Sequence, residues 1–159
     1  MPLYIISHKD PISPTQRDGL AAAVTKIHTT VFTTPSLFVN VKFEDASDAS
    51  YYVGGKPARV NAIHAHVRPG SSRPRSMYDD LCRQLRQAWE QNLSGPSLDT
   101  IFVHGTIIAG EEKGFMLPEA GNDAAWMKEN MPEFERRARA GDEEMRVLVE
   151  ECRALGVDA

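Results

Sequence analysis

The sequence has 159 residues, of which 42% are hydrophobic and 25% are charged, values typical of one ordinary globular domain. Its net charge of −4 gives no general reason to expect a nucleic-acid partner. No apolar run approaches the roughly 18 residues that a membrane span needs, and we expect neither a membrane partner nor a signal peptide. The two cysteines, Cys82 and Cys152, have no metal-ligand spacing and indicate buried thiols in a soluble, cytoplasmic protein.

The first part of the chain predicts a strand, a helix and a second strand. Residues 3–8 form a short apolar run, which indicates a core strand. A helix is predicted from about 14 to 32, because Ser13 and Gln16 can form a capping box at its start. Residues 37–44 alternate between apolar and polar side chains, as in a strand with one face exposed to water.

The same order of elements then begins again, displaced by about 60 residues. The polar segment 45–58 indicates a loop or short hairpin, and a strand is predicted at 60–67. A helix with an apolar stripe follows from about 75 to 92, and another strand opens at about 101. The two halves repeat a pattern of elements and show little similarity of sequence.

Two strand–helix–strand units predict an α/β (α+β) fold. Each unit makes a right-handed parallel crossover, so two tandem β-α-β units give a four-stranded sheet with two helices on one face. Two C-terminal helices are predicted. The first lies within 126–134 and is either interrupted by Pro132 or begins near it, and Asp142 can cap the second. We therefore divide the chain into a double β-α-β domain at 1–125 and a helical extension of that domain at 126–159. The extension is expected to pack on its own domain or on a neighbouring subunit.

Pro2 is the first candidate for chemistry. Removal of Met1 would leave Pro2 with a secondary amine at the edge of the predicted core. An α-amino group titrates near neutrality, and desolvation favours its uncharged form. Such an amine can exchange a proton or attack a carbonyl at physiological pH. The alternative is that Pro2 has no role beyond its place in the chain.

Three arginines, Arg68, Arg73 and Arg75, lie in a short loop before the second predicted helix. Guanidinium groups bind carboxylate or phosphate in a bidentate manner, and a helix start adds favourable N–H dipoles. The loop therefore indicates a site for a small anionic substrate. A solvated basic loop remains the alternative, and the absence of interleaved aromatic residues does not favour nucleic acid.

The histidines are informative through their placement. His64 and His66 alternate on one strand and point to the same side, but no third ligand follows at a metal-binding spacing. His28 lies at the margin of a buried helix face, and His104 ends an apolar strand where its ring needs a partner or a role. Glu112 lies in a glycine-rich loop and is a candidate acid or base. The sequence has no nucleophile elbow, phosphate-binding loop or zinc signature, so we expect neither a cofactor nor a metal.

Taken together, these features resemble the tautomerase superfamily, with the closest likeness to its cis-3-chloroacrylic acid dehalogenase branch. The resemblance covers most of residues 1–126, and its most specific segments are Met1–Tyr4, the helix ending in His28, Phe38–Phe43, Glu112 with Phe115–Pro118, and Trp126. It implies a fold of the 4-oxalocrotonate tautomerase and MIF type. It also implies a homotrimer in which the N-terminal proline of each chain is catalytic and no cofactor is used.

The resemblance implies a role for each candidate residue. Pro2 would be the acid/base, His28 and two of the three arginines would hold the substrate carboxylate, and Glu112 would activate water. The family spaces its arginine pair three residues apart, whereas Arg68 and Arg73 are five apart and Arg75 is an available substitute.

His104 stands where the family has a tyrosine that helps to orient water, and the loop from His104 to Glu112 is about three residues shorter. These departures weaken the case for hydrolytic dehalogenation more than the case for proton transfer. The expected function is a cofactor-free tautomerase or hydratase, with a dehalogenase-like reaction also open, on small 2-oxo or unsaturated carboxylic acids.

Two alternatives come from other classes. A dimeric ferredoxin-like α+β barrel protein, such as a small cofactor-free monooxygenase, shares the length and the order of elements and needs no free proline amine. A non-catalytic protein with the tautomerase fold would bind small acids or a protein partner.

Overall fold

A computed structural model describes residues 1–70 and 73–157. Ser71 and Ser72 of the predicted arginine-rich loop, and residues 158–159 of the predicted extension, lie outside the described residues. The elements in chain order are β1 (Leu3–His8), α1 (Pro14–Phe32), a 3₁₀ turn (Ser36–Phe38), β2 (Asn40–Asp45), β3 (Tyr51–Val53), β4 (Lys56–Ala58), β5 (Ala62–His66), α2 (Arg75–Asn92), β6 (Thr100–His104), β7 (Glu111–Glu112), β8 (Phe115–Met116), α3 (Asp123–Arg139) and α4 (Glu143–Ala154).

The four long strands form one mixed sheet in the order β2-β1-β5-β6. Strand β1 is parallel to β2, and β5 is parallel to β6, as a crossover through one helix requires. The two units meet through an antiparallel β1–β5 pair at the centre of the sheet. The predicted double β-α-β architecture is therefore confirmed.

One face of this sheet and helices α1 and α2 enclose the main core. Tyr4 and Ile6 of β1 alternate with more accessible neighbours, which is the period expected of a strand with one buried face. Both residues share a single apolar cluster with Leu20 of α1 and with Leu81 and Leu85 of α2. Both helices thus cover the same face, and the opposite face of the sheet carries no helix among the described residues.

Local sequence signals define the start and the end of α1. The Ser13 side chain accepts a hydrogen bond from the Gln16 backbone, and the Gln16 side chain accepts one from the Ser13 backbone. Pro14 at the first turn needs no N–H partner there. The helix ends at Thr33, whose φ of 53° is left-handed.

Two hairpins refine the predicted loops. The segment predicted as a loop or short hairpin is the hairpin β3–β4, and Gly54 and Gly55 make its turn with φ angles of 57° and 77°. The glycine-rich loop around Glu112 contains a second hairpin, β7–β8, which the sequence analysis did not predict. This hairpin places Glu112 directly opposite Phe115.

The C-terminal helices pack against each other and form a second apolar cluster. Pro132 lies inside α3 and neither interrupts the helix nor marks its start, which corrects the prediction. Proline has no N–H to donate, but Met131 and Phe134 on either side are fully buried and stabilise the helix at this position. The proposed boundary at 125/126 falls inside α3. Asp142 caps α4 as predicted, by accepting from the Met145 backbone at 3.2 Å.

Across the described part of the chain, every helix is too short or too polar to cross a bilayer.

Candidate active site

The N-terminus and the segment after β5 meet at one edge of the sheet. Because β1 and β5 are antiparallel, Leu3 lies opposite His66, so residues before β1 lie beside residues after β5. Leu3 also lies opposite Asn40, whose backbone N–H donates to the Pro2 carbonyl at 3.2 Å. Strand register thus brings Pro2 and Arg68 to the same edge of the sheet, although they are 66 positions apart in the sequence.

The amino group of Met1 lies buried in a field of charged side chains. Met1 is only 4% exposed. Burial lowers the pKa of its amino group from an ordinary value of 8.0 to about 5, and the positive charge of Arg68 lowers it further. The other charges that act on this group are those of Asp123, Glu112 and Arg73. The structure therefore brings predicted residues from two separate segments, Arg68 with Arg73 and Glu112, into electrostatic range of the N-terminal nitrogen.

Arg68 is held by the protein itself. Its side chain is 5% exposed and donates to Asp123 Oδ1 at 2.6 Å and to the Pro118 carbonyl at 2.6 Å. A third bond, at 3.3 Å, goes to the Glu119 carbonyl. The guanidinium group thus anchors the start of α3 beside the N-terminus, and Asp123 neutralises part of its charge.

Arg73 joins the site and Arg75 lies apart from it. The Arg73 guanidinium stacks over the Phe32 ring at 4.4 Å and donates to the Arg68 carbonyl at 3.0 Å. Burial, and then the charge of Arg68, lower the pKa of Arg73. The Arg75 side chain is 85% exposed and pairs with Asp79 on the first turn of α2.

His28 is a buried, neutral member of the site. It is 3% exposed, and its Nδ1 lies 2.7 Å from the hydroxyl of Tyr4. Burial lowers the pKa of His28 to about 3, with smaller contributions from the N-terminal charge, Arg73 and Arg68. Burial also raises the pKa of the Tyr4 hydroxyl. The pair is therefore uncharged at neutral pH and can act only through hydrogen bonds.

Glu112 reaches the same edge through Asn40. The Asn40 side chain donates to Glu112 Oε1 at 2.9 Å, and the Asn40 backbone is bonded to Pro2. Glu112 is half-buried. This bond fixes one carboxylate oxygen close to the start of β1.

His104 lies in a different group, on the open face of the sheet. It is opposite His66 in the strand register, and its Nε2 lies 3.0 Å from His64 Nδ1. Its ring stacks on both histidines, with centroids 5.3 Å from His64 and 4.7 Å from His66. Within residues 1–70 and 73–157, no group of three His, Cys, Asp or Glu side chains has a geometry that could hold a metal ion.

A pocket of about 290 Å³ opens beside Arg73 and Asp123, and Phe32 also lines it. A larger pocket of about 530 Å³ lies between α1 and α4 and contains none of the predicted site residues. We place the candidate site at the smaller pocket, because Arg73 and Asp123, two of the charged residues that act on the N-terminal amino group, line it.

Three polar residues of the site were not among the predicted site residues. Tyr4 and Asn40 belong to segments that carried the family resemblance, and strand alternation places Tyr4 on the helix-covered face with Ile6. Asp123 is 55 positions from Arg68, so no local spacing could have identified it.

Comparisons with known proteins agree with this architecture. Residues 1–131 match a family described as "Putative oxalocrotonate tautomerase enzyme". A crystal structure of N1, a member of the cis-3-chloroacrylic acid dehalogenase family, is 26% identical to this chain and has a TM-score of 0.66. The match covers 79% of this chain and 90% of that one. No curated protein matches the sequence significantly.

Two more distant structures share the fold. A probable enzyme from the thermophilic fungus Aspergillus fumigatus is 19% identical with a TM-score of 0.61, over 82% of this chain and 94% of that one. A fused 4-OT symmetric trimer is 17% identical with a TM-score of 0.57, over 75% of this chain and 98% of that one.

These matches exclude the ferredoxin-like alternative. They do not distinguish an enzyme from a non-catalytic binding protein with the same fold. The double β-α-β sheet and the family match over residues 1–131 show that the chain belongs to the tautomerase superfamily.

Proposed function

We propose that the chain, after removal of Met1, is a cofactor-free tautomerase of small 2-oxo carboxylic acids with Pro2 as the acid/base. The observation that carries this proposal is the environment of the N-terminal nitrogen. Burial and Arg68 lower the pKa of the Met1 amino group to about 5. The same surroundings would keep the secondary amine of Pro2 largely neutral at pH 7, and a neutral amine can act as a base.

The arginines give this base a carboxylate partner. Arg73 stacks on Phe32 and is only partly neutralised by its surroundings, so we assign to it the main contact with the substrate carboxylate. Arg68 adds positive charge but shares it with Asp123. His28 is neutral and would contribute a hydrogen bond, not a charge, to the bound acid.

The reaction is a proton transfer between carbon and oxygen. The Pro2 nitrogen takes a proton from C3 of the 2-oxo acid, and the electron pair of that C–H bond forms the C2–C3 double bond as the carbonyl oxygen becomes an enolate. The protonated amine then gives the same proton to that oxygen. The product is the enol, the reverse path gives the ketone, and Pro2 returns to its neutral form.

A hydratase or dehalogenase-like reaction is the second candidate. It is favoured by the position of Glu112, whose carboxylate is fixed by Asn40 near the start of β1 and could activate water. That reaction needs a protonated amine to deliver a proton to carbon. The lowered pKa of the N-terminal amine therefore supports tautomerisation over water addition.

Replacing Pro2 tests the proposal. We expect Pro2→Ala to lower kcat/KM for ketonisation of phenylenolpyruvate by about 100-fold or more, the usual contribution of a positioned acid/base. Intact mass must first show that Met1 is absent, because an attached Met1 makes the proline nitrogen an amide. Pro57→Ala, at an exposed position of the β3–β4 hairpin, is the matched control and should leave the rate unchanged. Full activity in Pro2→Ala would refute the proposal.

We further propose that the chain forms a homotrimer in the cytoplasm, by analogy with fused 4-OT trimers of the same fold. A trimer that has no activity on any 2-oxo acid would instead favour the non-catalytic binding protein.

A further inference from the structure

The segment that follows helix α4 forms part of the pocket at which we place the candidate site. The wall of this pocket includes Phe32, Arg73, Leu155 and Val157. Val157 is 9% exposed, and its apolar cluster contains Met127, another residue of the same wall. Leu155 and Val157 are 82 and 84 positions from Arg73 in the sequence, so the fold alone brings them to the arginine.

A helix-capping motif directs the chain into the pocket wall. Helix α4 ends at Ala154, and Gly156 has a φ of 77°, a left-handed conformation that glycine adopts without strain. The Gly156 N–H donates to the Arg153 carbonyl at 2.9 Å, and the Val157 N–H donates to the Cys152 carbonyl at 3.0 Å. These two bonds define a Schellman motif, in which the residue after the glycine packs back on the last turn of the helix.

The helix that carries this cap is firmly packed. Leu148 and Cys152 of α4 are both fully buried, and they share one apolar cluster with Val157. A side chain held by a backbone cap and by a close-packed cluster cannot move aside without a cost in packing. Val157 is therefore a fixed part of the pocket wall.

The family match does not extend to this part of the wall. It ends at residue 131, whereas α4 covers Glu143–Ala154. The pocket thus combines Arg73, which lies inside the matched segment, with Leu155 and Val157, which lie beyond it. Such a wall can set the size of the bound molecule without any change in the candidate acid/base.

We propose that Val157 is a specificity-determining residue, which limits the length of the acid that the candidate site accepts. The inference rests on the proposed function, because the carboxylate of the acid is placed at Arg73, in the same pocket. The carbon chain beyond C3 then lies along the apolar part of the wall, and the Val157 side chain ends the available space. A longer chain meets the isopropyl group of Val157 and enters only by disturbing the cap of α4.

Proton exchange tests the effect of this wall on the reaction. Exchange of the C3 protons in D₂O is followed by NMR for 2-oxooctanoate and 2-oxobutyrate, with the full chain after intact mass has shown that Met1 is absent. Val157→Ala should raise the ratio of the long-acid rate to the short-acid rate about three-fold or more, and Val157→Trp should lower it about ten-fold. An unchanged ratio in Val157→Ala overturns the inference, whether or not the tryptophan variant folds.

Val147 provides a matched control on the same helix. Its side chain is 38% exposed and is not part of the described lining of the pocket. Val147→Ala and Val147→Trp should each keep the ratio of the unmodified sequence. The same change of ratio at both positions would show that α4 acts through general stability and not through the wall, and would also refute the inference.

Binding of unreactive acids separates the wall from the chemistry. Octanoate and butanoate are titrated calorimetrically into the unmodified sequence and into Val157→Ala. A preference for octanoate that rises in the variant supports the wall even if neither 2-oxo acid shows proton exchange, a result that would refute the tautomerase proposal. Exchange of both 2-oxo acids with the same ratio in every Val157 variant would leave the proposed function intact and exclude the wall.

Discussion

The buried pair Arg68–Asp123 is the strongest electrostatic feature of the candidate site. Arg68 was predicted to bind the substrate carboxylate, yet the structure shows three protein acceptors on its guanidinium group. Burying an arginine is costly unless its donors are bonded and its charge is paired. Asp123 provides the pairing from a distant segment, which explains why the sequence could identify the arginine but not its partner.

Asp123→Ala should therefore destabilise the protein. Arg68 would remain buried with carbonyl acceptors but no counter-charge, and we expect a loss of about 3 kcal/mol in the free energy of unfolding. The matched control is Asp79→Ala, which removes the partner of the 85% exposed Arg75 and should cost about 0.5 kcal/mol or less. Urea unfolding of both variants at one protein concentration measures the difference. Similar losses in the two variants would show that the buried pair does not stabilise the fold.

Helix α4 is attached to the double β-α-β domain by one carboxylate in addition to its apolar face. Glu151 accepts hydrogen bonds from the Ser36 backbone at 2.7 Å and from the Ser36 hydroxyl at 2.6 Å. Ser36 opens the 3₁₀ turn that carries the fully buried Phe38. This bond links the C-terminal helices to the turn that precedes β2.

Glu151→Ala should loosen α4 without unfolding the sheet. It removes two charge-assisted hydrogen bonds, and we expect the opening free energy of α4 to fall by about 1–3 kcal/mol. Hydrogen exchange followed by mass spectrometry would show faster exchange in α4 and in the Ser36–Phe38 turn. Glu150→Ala, which removes only an exposed pair with Arg146, is the control and should leave exchange unchanged. Equal exchange in the two variants would contradict this role for Glu151.

The elements that the sequence predicted are those with local signals. The capping box of Ser13 and Gln16, the cap at Asp142 and the apolar run of β1 all act over a few residues, and the structure has each of the three elements. Hairpin β7–β8 was missed because strands of two residues are too short to show a period. The continuation of α3 through Pro132 was not predicted, because the tertiary packing of the helix outweighs the hydrogen bond that proline cannot make. Local sequence rules do not include such packing.

In the part of the molecule that the structure describes, one face of the sheet carries no helix. This open face carries His64, His66 and His104 in one stack, beside Phe102, which is 48% exposed. Stable sheets pack against another layer, and no helix of the described chain covers this face. Because we propose a trimer, we assign this face to contact between copies of the chain. The sequence predicted that His64 and His66 share a side, but only the strand register showed that His104 joins them.

Assembly should therefore weaken as the pH falls. Burial, and then the charges of His104 and His66, lower the pKa of His64, while Glu44 opposes this effect. A contact between copies would bury His64 further and lower its pKa again, so the assembled state would bind protons less readily than the separated chain. The stability that this adds to the assembly is complete above the ordinary histidine pKa of about 6.5 and is lost as the pH falls well below it.

We expect light scattering after size exclusion to show a trimer at pH 7.5 and smaller species at pH 5.5, a range in which ordinary carboxylates stay ionised. His64→Gln, which removes the imidazole with the lowered pKa, should stay assembled at pH 5.5. Dissociation of that variant over the same pH range would show that the stack does not control assembly. A trimer that persists in the unmodified protein at pH 5.5 would exclude the open face as a pH-sensitive contact, because an imidazolium group at His64 in a covered interface would lose its hydration.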